Sequence, residues 1–334
     1  MAPRILAFLA AVAMVVGAVA VRDRLEGGDG EPATEAMLRL VCSNELAAAC
    51  ERLDEQEDGL EVTIEAAGET AGRLAAARPG TGTTVDGWLV AGPWPAIVEE
   101  TRRSGGMEPL LSTGAVLARS PTVLAVFPTR AEVLRRNCEG EAIAWRCLGD
   151  VAGRGTWAAV GGRPEWGPVK VIVDDPSSEA DGLAVLGAAT AAFFQRADVA
   201  SNDLDDAYRA WLAGLARAVP SGPVSLEQGL AAGPALLDAY AGLEAEAAPL
   251  VATSAQPDKP LLIYPSPVAT ADVVLGSVPG PRSRRLAELV ASRAGRMALA
   301  TTGWRVPGQP RAAGVPATPA LPAESGLPRP GALA

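Results

Sequence analysis

Three short apolar runs, separated by stretches with helical patterning, constrain this chain more than any other feature. Residues 37–41, 60–66 and 85–90 read as strands, and Leu60, Val62 and Ile64 alternate with polar residues at the two-residue period of a pleated strand. Residues 44–56, 70–77 and 95–104 read as helices, with apolar positions such as Leu46, Ala49 and Leu53 on one face. The order β-α-β-α-β-α predicts an α/β fold: a mostly parallel sheet flanked by helices. Two more strands, 114–118 and 122–126, are separated only by Arg119-Ser120-Pro121. That gap is too short for a crossover helix, so the chain turns back there or passes into a second lobe.

From Thr129 the alternation resumes. Thr129 with Glu132, and Ser178 with Asp181, have the spacing of capping boxes ahead of helices at 131–136 and 178–196. Strands are expected at 169–173, 261–264 and 271–275, and helices at 204–217, 235–247 and 282–300. Residues 183–194 are apolar but too few to span a bilayer, and read as a buried core helix. Residues 307–334 are rich in Pro and Ala, lack periodicity and are expected to be disordered.

An apolar run over residues 5–21 follows Arg4 and precedes Arg22-Asp23-Arg24. Residues 1–22 therefore read as a secretory signal peptide or an N-terminal membrane anchor, and 23–35 as a linker. Ala18-Val19-Ala20 offers a small-x-small cleavage site, and no cysteine precedes Cys42. The rest of the chain is expected outside the cytoplasm, secreted or tethered to the cell membrane. Four cysteines remain, Cys42, Cys50, Cys138 and Cys147, and four allow three pairings. Bridges between near neighbours are the economical expectation. Cys42–Cys50 is the less secure, because a helix starting at Asn44 would carry Cys50 almost two turns away.

A net charge of −10 disfavours nucleic acid as a partner. The chain has no histidine, which removes the commonest general base and the commonest zinc ligand together. It has no S-x-x-K motif, and the adjacent Asp174 and Asp175 would point to opposite faces at a strand end. No catalytic residue, cofactor or metal site is expected, and the chain reads as a binding protein, a monomer, rather than an enzyme.

In open parallel sheets, ligands bind beyond the carboxyl ends of strands, where helix N-termini converge. Four strand-to-helix turns qualify: Cys42-Ser43-Asn44-Glu45, Ala67-Gly68-Glu69-Thr70, Ala91-Gly92-Pro93-Trp94 and Asp175-Pro176-Ser177-Ser178. Free helix N–H groups can donate there, though Ser and Thr at such places also cap their own helices. Ser43, Asn44, Thr70, Ser177 and Ser178 are therefore candidate ligand contacts. Gly68-Glu69-Thr70-Ala71-Gly72 lacks the G-K-[ST] of a nucleotide-binding loop. Glu45, Glu69, Asp174 and Asp175 crowd the same turns. They oppose a bare dianion, and either complement helix dipoles or hold an amine or sugar hydroxyls. Trp94 is a candidate for stacking on a ligand, and Tyr264 either lines the cleft or packs beside it.

The segments Leu38-Arg39-Leu40-Val41-Cys42-Ser43-Asn44-Glu45, Val85-Asp86-Gly87-Trp88-Leu89-Val90 and Arg119-Ser120-Pro121-Thr122-Val123-Leu124-Ala125-Val126 carry a resemblance through their order. So do Val171-Ile172-Val173-Asp174-Asp175-Pro176-Ser177-Ser178, Pro260-Leu261-Leu262-Ile263-Tyr264-Pro265 and Thr302-Gly303-Trp304-Arg305. Together they resemble bacterial extracellular solute-binding proteins of the type 2 periplasmic-binding-protein fold, nearest the branch with molybdate- and sulfate-binding proteins. The resemblance spans residues 36–306. It implies two α/β lobes, 36–118 plus 265–306 against 119–264, joined by two crossovers, with a small polar solute held between them. It places ligand-contacting hydroxyls at Ser43, Thr70 and Ser177 or Ser178. It also implies an ABC-type transporter permease or a membrane sensor as partner. The acidic turns depart from an oxyanion site. The alternative is an envelope-anchored interaction protein whose solute-binding fold has become degenerate, which the anchor and Pro-rich tail would suit.

Overall fold

The computed structural model describes residues 37–78, 85–139, 143–222 and 224–333. The expected signal or anchor (1–22) and linker (23–35) lie outside the described residues. Among those described, no helix is long and apolar enough to cross a membrane.

The first part of the chain builds the outer strands of one half. Strands β1 (Leu38–Cys42), β2 (Leu60–Ile64) and β3 (Gly87–Ala91) alternate with helices α1 (Ala47–Asp54), α2 (Ala67–Ala76) and α3 (Trp94–Ser104). Strand β1 pairs in parallel with β2 on one side and β3 on the other. All five residues of β3 are buried, as expected for a strand covered by helices on both faces. After the short β4 (Ser112–Thr113) comes β5 (Ala118–Val126).

The second half follows. It contains α4 (Pro128–Asn137), α5 (Trp145–Gly153), β6 (Val171–Ile172), α6 (Ala180–Phe194), α7 (Asp206–Ala216), α8 (Leu226–Ala232), β7 (Ala239–Leu243), α9 (Glu244–Thr253) and β8 (Leu261–Ile263). The chain then returns through β9 (Thr270–Ser277), α10 (Pro281–Ala291) and α11 (Arg293–Thr301), and ends in the single turn α12 (Pro330–Leu333).

The strands form one hydrogen-bonded path, β2-β1-β3-β9-β5-β7-β6, with β4 on β9 and β8 on β5. Strand β5 belongs to both halves. Its residues Ala118–Pro121 pair with β9, and Thr122–Val126 pair with β7 and β8. The core around Trp88 and Trp304 belongs mainly to the first half but takes in Ala180, Leu183, Leu243 and Ala245, while the clusters around Trp145 with Trp157 and around Tyr240 belong to the second of the two halves. We call them lobes I and II. The outer strands are parallel, as the alternation predicts. The long β5 and β9 run antiparallel to their neighbours, because each arrives from the other lobe.

Several expectations are corrected. The strand expected at 114–118 is not formed before Ala118; instead the one expected at 122–126 begins early, at Ala118, and runs through Pro121. Its missing N–H costs nothing, because β5 changes partner from β9 to β7 at that residue. The helix expected over 235–247 is instead β7 followed by α9. Residues Ala239–Leu243 are buried throughout, so no alternation with polar residues betrays the strand. Neither capping box forms. Helix α4 starts after Phe127 and α6 after Glu179, both without a side-chain cap. Both neighbouring-cysteine bridges are present. Cys42 and Cys50 lie 6.6 Å apart at Cα, because a tight 3-10 turn over Asn44–Leu46 delays the helix to Ala47. The tail expected to be disordered is laid along the protein instead. Its backbone accepts from Arg305 at Pro319 O, from Arg119 at Pro322 O and from Thr270 N at Ser325 O. Tertiary partners order it without local periodicity.

Candidate functional site

A cavity of about 860 Å³ lies between the lobes. Asn44, Glu45, Thr301, Thr302 and Trp304 line it from lobe I, and Asp174, Glu179, Asp181 and Glu246 from lobe II. Three strand-to-helix turns deliver these groups. Glu45 sits in the turn after β1. Asp174 and Asp181 flank the turn from β6 into α6, and Glu246 is in the first turn of α9 after β7. Strands β6 and β7 are parallel, with Ile172 opposite Tyr240, so their following turns emerge side by side.

The electrostatics are one-sided. Carboxylate oxygens of Asp174, Asp181 and Glu246 lie within 4.8 Å of one another. Asp181 is 4% exposed. It accepts from Gly182 N at 2.7 Å, and Tyr240 Oη lies 3.4 Å from its other oxygen. Burial, together with Asp174, Glu246 and Glu45, holds its carboxyl well above the usual carboxylate range. Glu246 is raised by burial and by Asp174 and Glu179, and Tyr240 Oη donates to it at 2.6 Å. Burial pushes Glu45 up to about 7, against hydrogen bonds from Ser43 and the Ala91 amide. The Oε2 atom of Glu45 is closed to solvent and has no hydrogen-bond partner among the described residues. Arg52 also lines the cavity, and it donates to Thr301 Oγ1 rather than to these carboxylates. Asp174, Asp181 and Glu246, with the Tyr240 hydroxyl, are hard oxygen donors. They could hold a cation: a divalent ion or an ammonium group.

The lobes touch beside the cavity. Gly68 N donates to Ser178 O at 2.8 Å. A Cβ on Gly68 would lie 2.2 Å from Ser177 O, so only glycine permits this approach. Asn44 Nδ2 donates to both oxygens of Glu179, at 3.1 and 3.0 Å. Near the crossovers Gly303, at φ 103°, approaches the Ala245 carbonyl equally closely.

Of the residues singled out from sequence, Asn44 lines the cavity. Ser43 and Thr70 are fully buried and turned inward, their hydroxyls bonded to Glu45 and Glu65. Trp94, expected at the cleft, is the first residue of α3 and packs into the core of lobe I. Ser177 closes its own turn through N and Oγ to Asp175 Oδ1, at 2.9 and 2.7 Å. Ser178 meets lobe I through its backbone carbonyl rather than its hydroxyl. Tyr264 is at the crossovers, its hydroxyl bonded to Glu244, which also holds Arg305 at 2.6 and 2.5 Å. Asp181, Tyr240 and Glu246 escaped the sequence reading. The spacing makes Asp181 a cap and puts Tyr240 and Glu246 inside one helix over 235–247, whereas Tyr240 is on β7 and Glu246 opens α9.

No protein-family model matches the chain, and no curated protein matches it. Solved structures do. Iron-bound HitA from Pseudomonas aeruginosa is 15% identical, with a TM-score of 0.55, over 89% of this chain and 95% of that one. A periplasmic thiamin binding protein is 13% identical, with a TM-score of 0.53, over 83% and 86%. The periplasmic binding protein AfuA from Actinobacillus pleuropneumoniae, solved with fructose-6-phosphate, is 12% identical, with a TM-score of 0.52, over 82% and 85%. With its shared crossover strands and interlobe cavity, the chain has the two-lobed type 2 fold of periplasmic binding proteins.

Proposed function

We propose that this chain is an extracytoplasmic solute-binding protein that closes its two lobes on a small cationic solute. The observation that carries this is the convergence of Asp174, Asp181 and Glu246 in the interlobe cavity, beside the unpartnered Glu45 Oε2. Buried like charges are costly, and a cation entering among them would relieve that cost. Lobe I, residues 36–118 plus 265–306, moves against lobe II, residues 119–264, about β5 and the return into β9. Among the structural neighbours, HitA is iron-bound and another is a thiamin binding protein, while AfuA was solved with fructose-6-phosphate, so the fold itself accepts ligands of either charge. The role fits delivery to an ABC-type transporter or a membrane sensor, with binding rather than catalysis as the activity.

The test is thermal unfolding against a panel: divalent metals, ferric ion, alkylammonium compounds, polyamines and thiamin, set against sulfate, sugar phosphates and neutral sugars. A cation at a hundredfold excess over Kd should stabilise by about 2.7 kcal/mol. The combined variant Asp181→Asn, Glu246→Gln should lose that response. Stabilisation by anions or neutral sugars alone overturns the reading. The direct backbone contact of Gly68 with Ser178 favours a second reading, an interaction protein whose cleft takes no solute. A flat response across the whole panel selects it.

A further inference from the structure

We infer that residues 307–333 form a strap that holds the two lobes closed. The strap leaves lobe I after Val306 and rejoins lobe II, where Gly314 abuts the carbonyl of Ala248 on α9. It then crosses behind both connecting strands. Arg119, on β5, donates to Pro322 O at 2.8 Å, and Thr270, at the start of β9, donates to Ser325 O at 2.8 Å. Arg305, the residue that pairs with Arg119 through both backbone groups, donates to Pro319 O at 2.6 Å.

Beyond the crossovers the strap touches each lobe in turn. Leu327 packs on the core of lobe II, over Gly187 of α6. Leu333, six residues later, packs on the core of lobe I, where α12 lies against α3. A chain tied to both lobes resists any motion that separates its two anchors. The two covalent connections allow hinge opening; these additional contacts oppose it until an anchor is released. The strap also reaches the cavity, which Ala312 and Ala313 help to line. Occupancy of the cleft and release of the strap are therefore in physical contact. The restraint is a property of the fold and stands whether or not the solute is a cation.

The Gly68 amide reports closure directly, because its acceptor, Ser178 O, belongs to the other lobe. Hydrogen exchange at Gly68 is measured in the full chain, in Leu333→Asp, in Leu327→Asp and in a chain ending at Val306. Amides of β1 serve as the reference for global stability. Exchange at Gly68 should accelerate on the order of tenfold or more in each variant, with β1 amides unchanged. Unchanged exchange at Gly68 in the two point variants overturns the inference. So does equal acceleration at Gly68 and in β1, which would make the strap a general stabiliser. If the shortened chain does not fold, the two point variants decide.

Discussion

Lobe II contains two buried aspartates in opposite circumstances. Asp238 is completely buried, yet each oxygen is answered. Arg130 Nε donates at 2.9 Å, Trp157 Nε1 and the Lys170 amide each at 2.9 Å, and the Lys170 ammonium stands 3.7 Å away. Arg130 in turn lies over the Trp166 ring at 3.8 Å. Asp181 is nearly as buried and, among the described residues, has no cation beside it; its close neighbours are Asp174, Glu246 and Tyr240. A charge with its partners built in serves the architecture. A charge kept among its own kind in a cavity marks a place where the compensating group comes from outside.

Four variants test that contrast, beginning with the largest effect. Asp238→Ala should destabilise the protein by about 3–5 kcal/mol in denaturant unfolding, since it strands Arg130 without a counter-charge. Asp181→Asn should be neutral or stabilising at pH 7. Equal losses in the two variants would erase the distinction between the sites.

Glu45→Gln comes next. The Glu45 carboxyl is raised from 4.5 to about 7 in the fold, so the folded state keeps a proton that the unfolded chain has released. Its contribution is fully present below about pH 4.5 and is lost as pH rises through about 7, a change on the order of 3 kcal/mol. Asp181, Glu179 and Glu246 are shifted in the same direction, while Asp175 and Glu65 are lowered and oppose it. The difference between wild type and Glu45→Gln isolates the one group. The variant should gain on wild type between pH 4.5 and 7; parallel pH curves would place Glu45 outside the cluster. The smallest loss belongs to Tyr240→Phe, which removes the 2.6 Å bond to Glu246 and should cost about 1 kcal/mol. It should also raise the Glu246 titration further, read by carbonyl chemical shift.

The first lobe was largely legible in the sequence. Its strands alternate or run apolar for a few residues, and its helices show one-sided spacing, so β1 through α3 follow from periodicity alone. Lobe II was less so. Tyr240-Ala241-Gly242 sits in a run of small, helix-favouring residues, and β7 is a strand only because β5 and β6 pair on either side of it. The same local ambiguity covers the site. Glu246 reaches Asp174 and Asp181 through the parallel register of β6 and β7, and nothing local to any of the three residues encodes that meeting. The sequence shows acids crowding the turns after β1 and β6, but their convergence is a tertiary fact. The strap was illegible for a related reason: Pro322 and Ser325 are ordered by donors from Arg119 and Thr270, both distant in sequence, and Pro319 by the side chain of Arg305, 14 residues before it.

The shared strand has a consequence for how the molecule is assembled. Ala118 pairs with Val273 and Pro121 with Thr270, partners about 150 residues apart along the chain. That ladder must wait until an entire intervening lobe has been made and its ends brought back together, so it sits among the most non-local contacts in the molecule and the slowest to nucleate. The region that lets the finished protein flex is thus also the one whose registration closes the folding reaction.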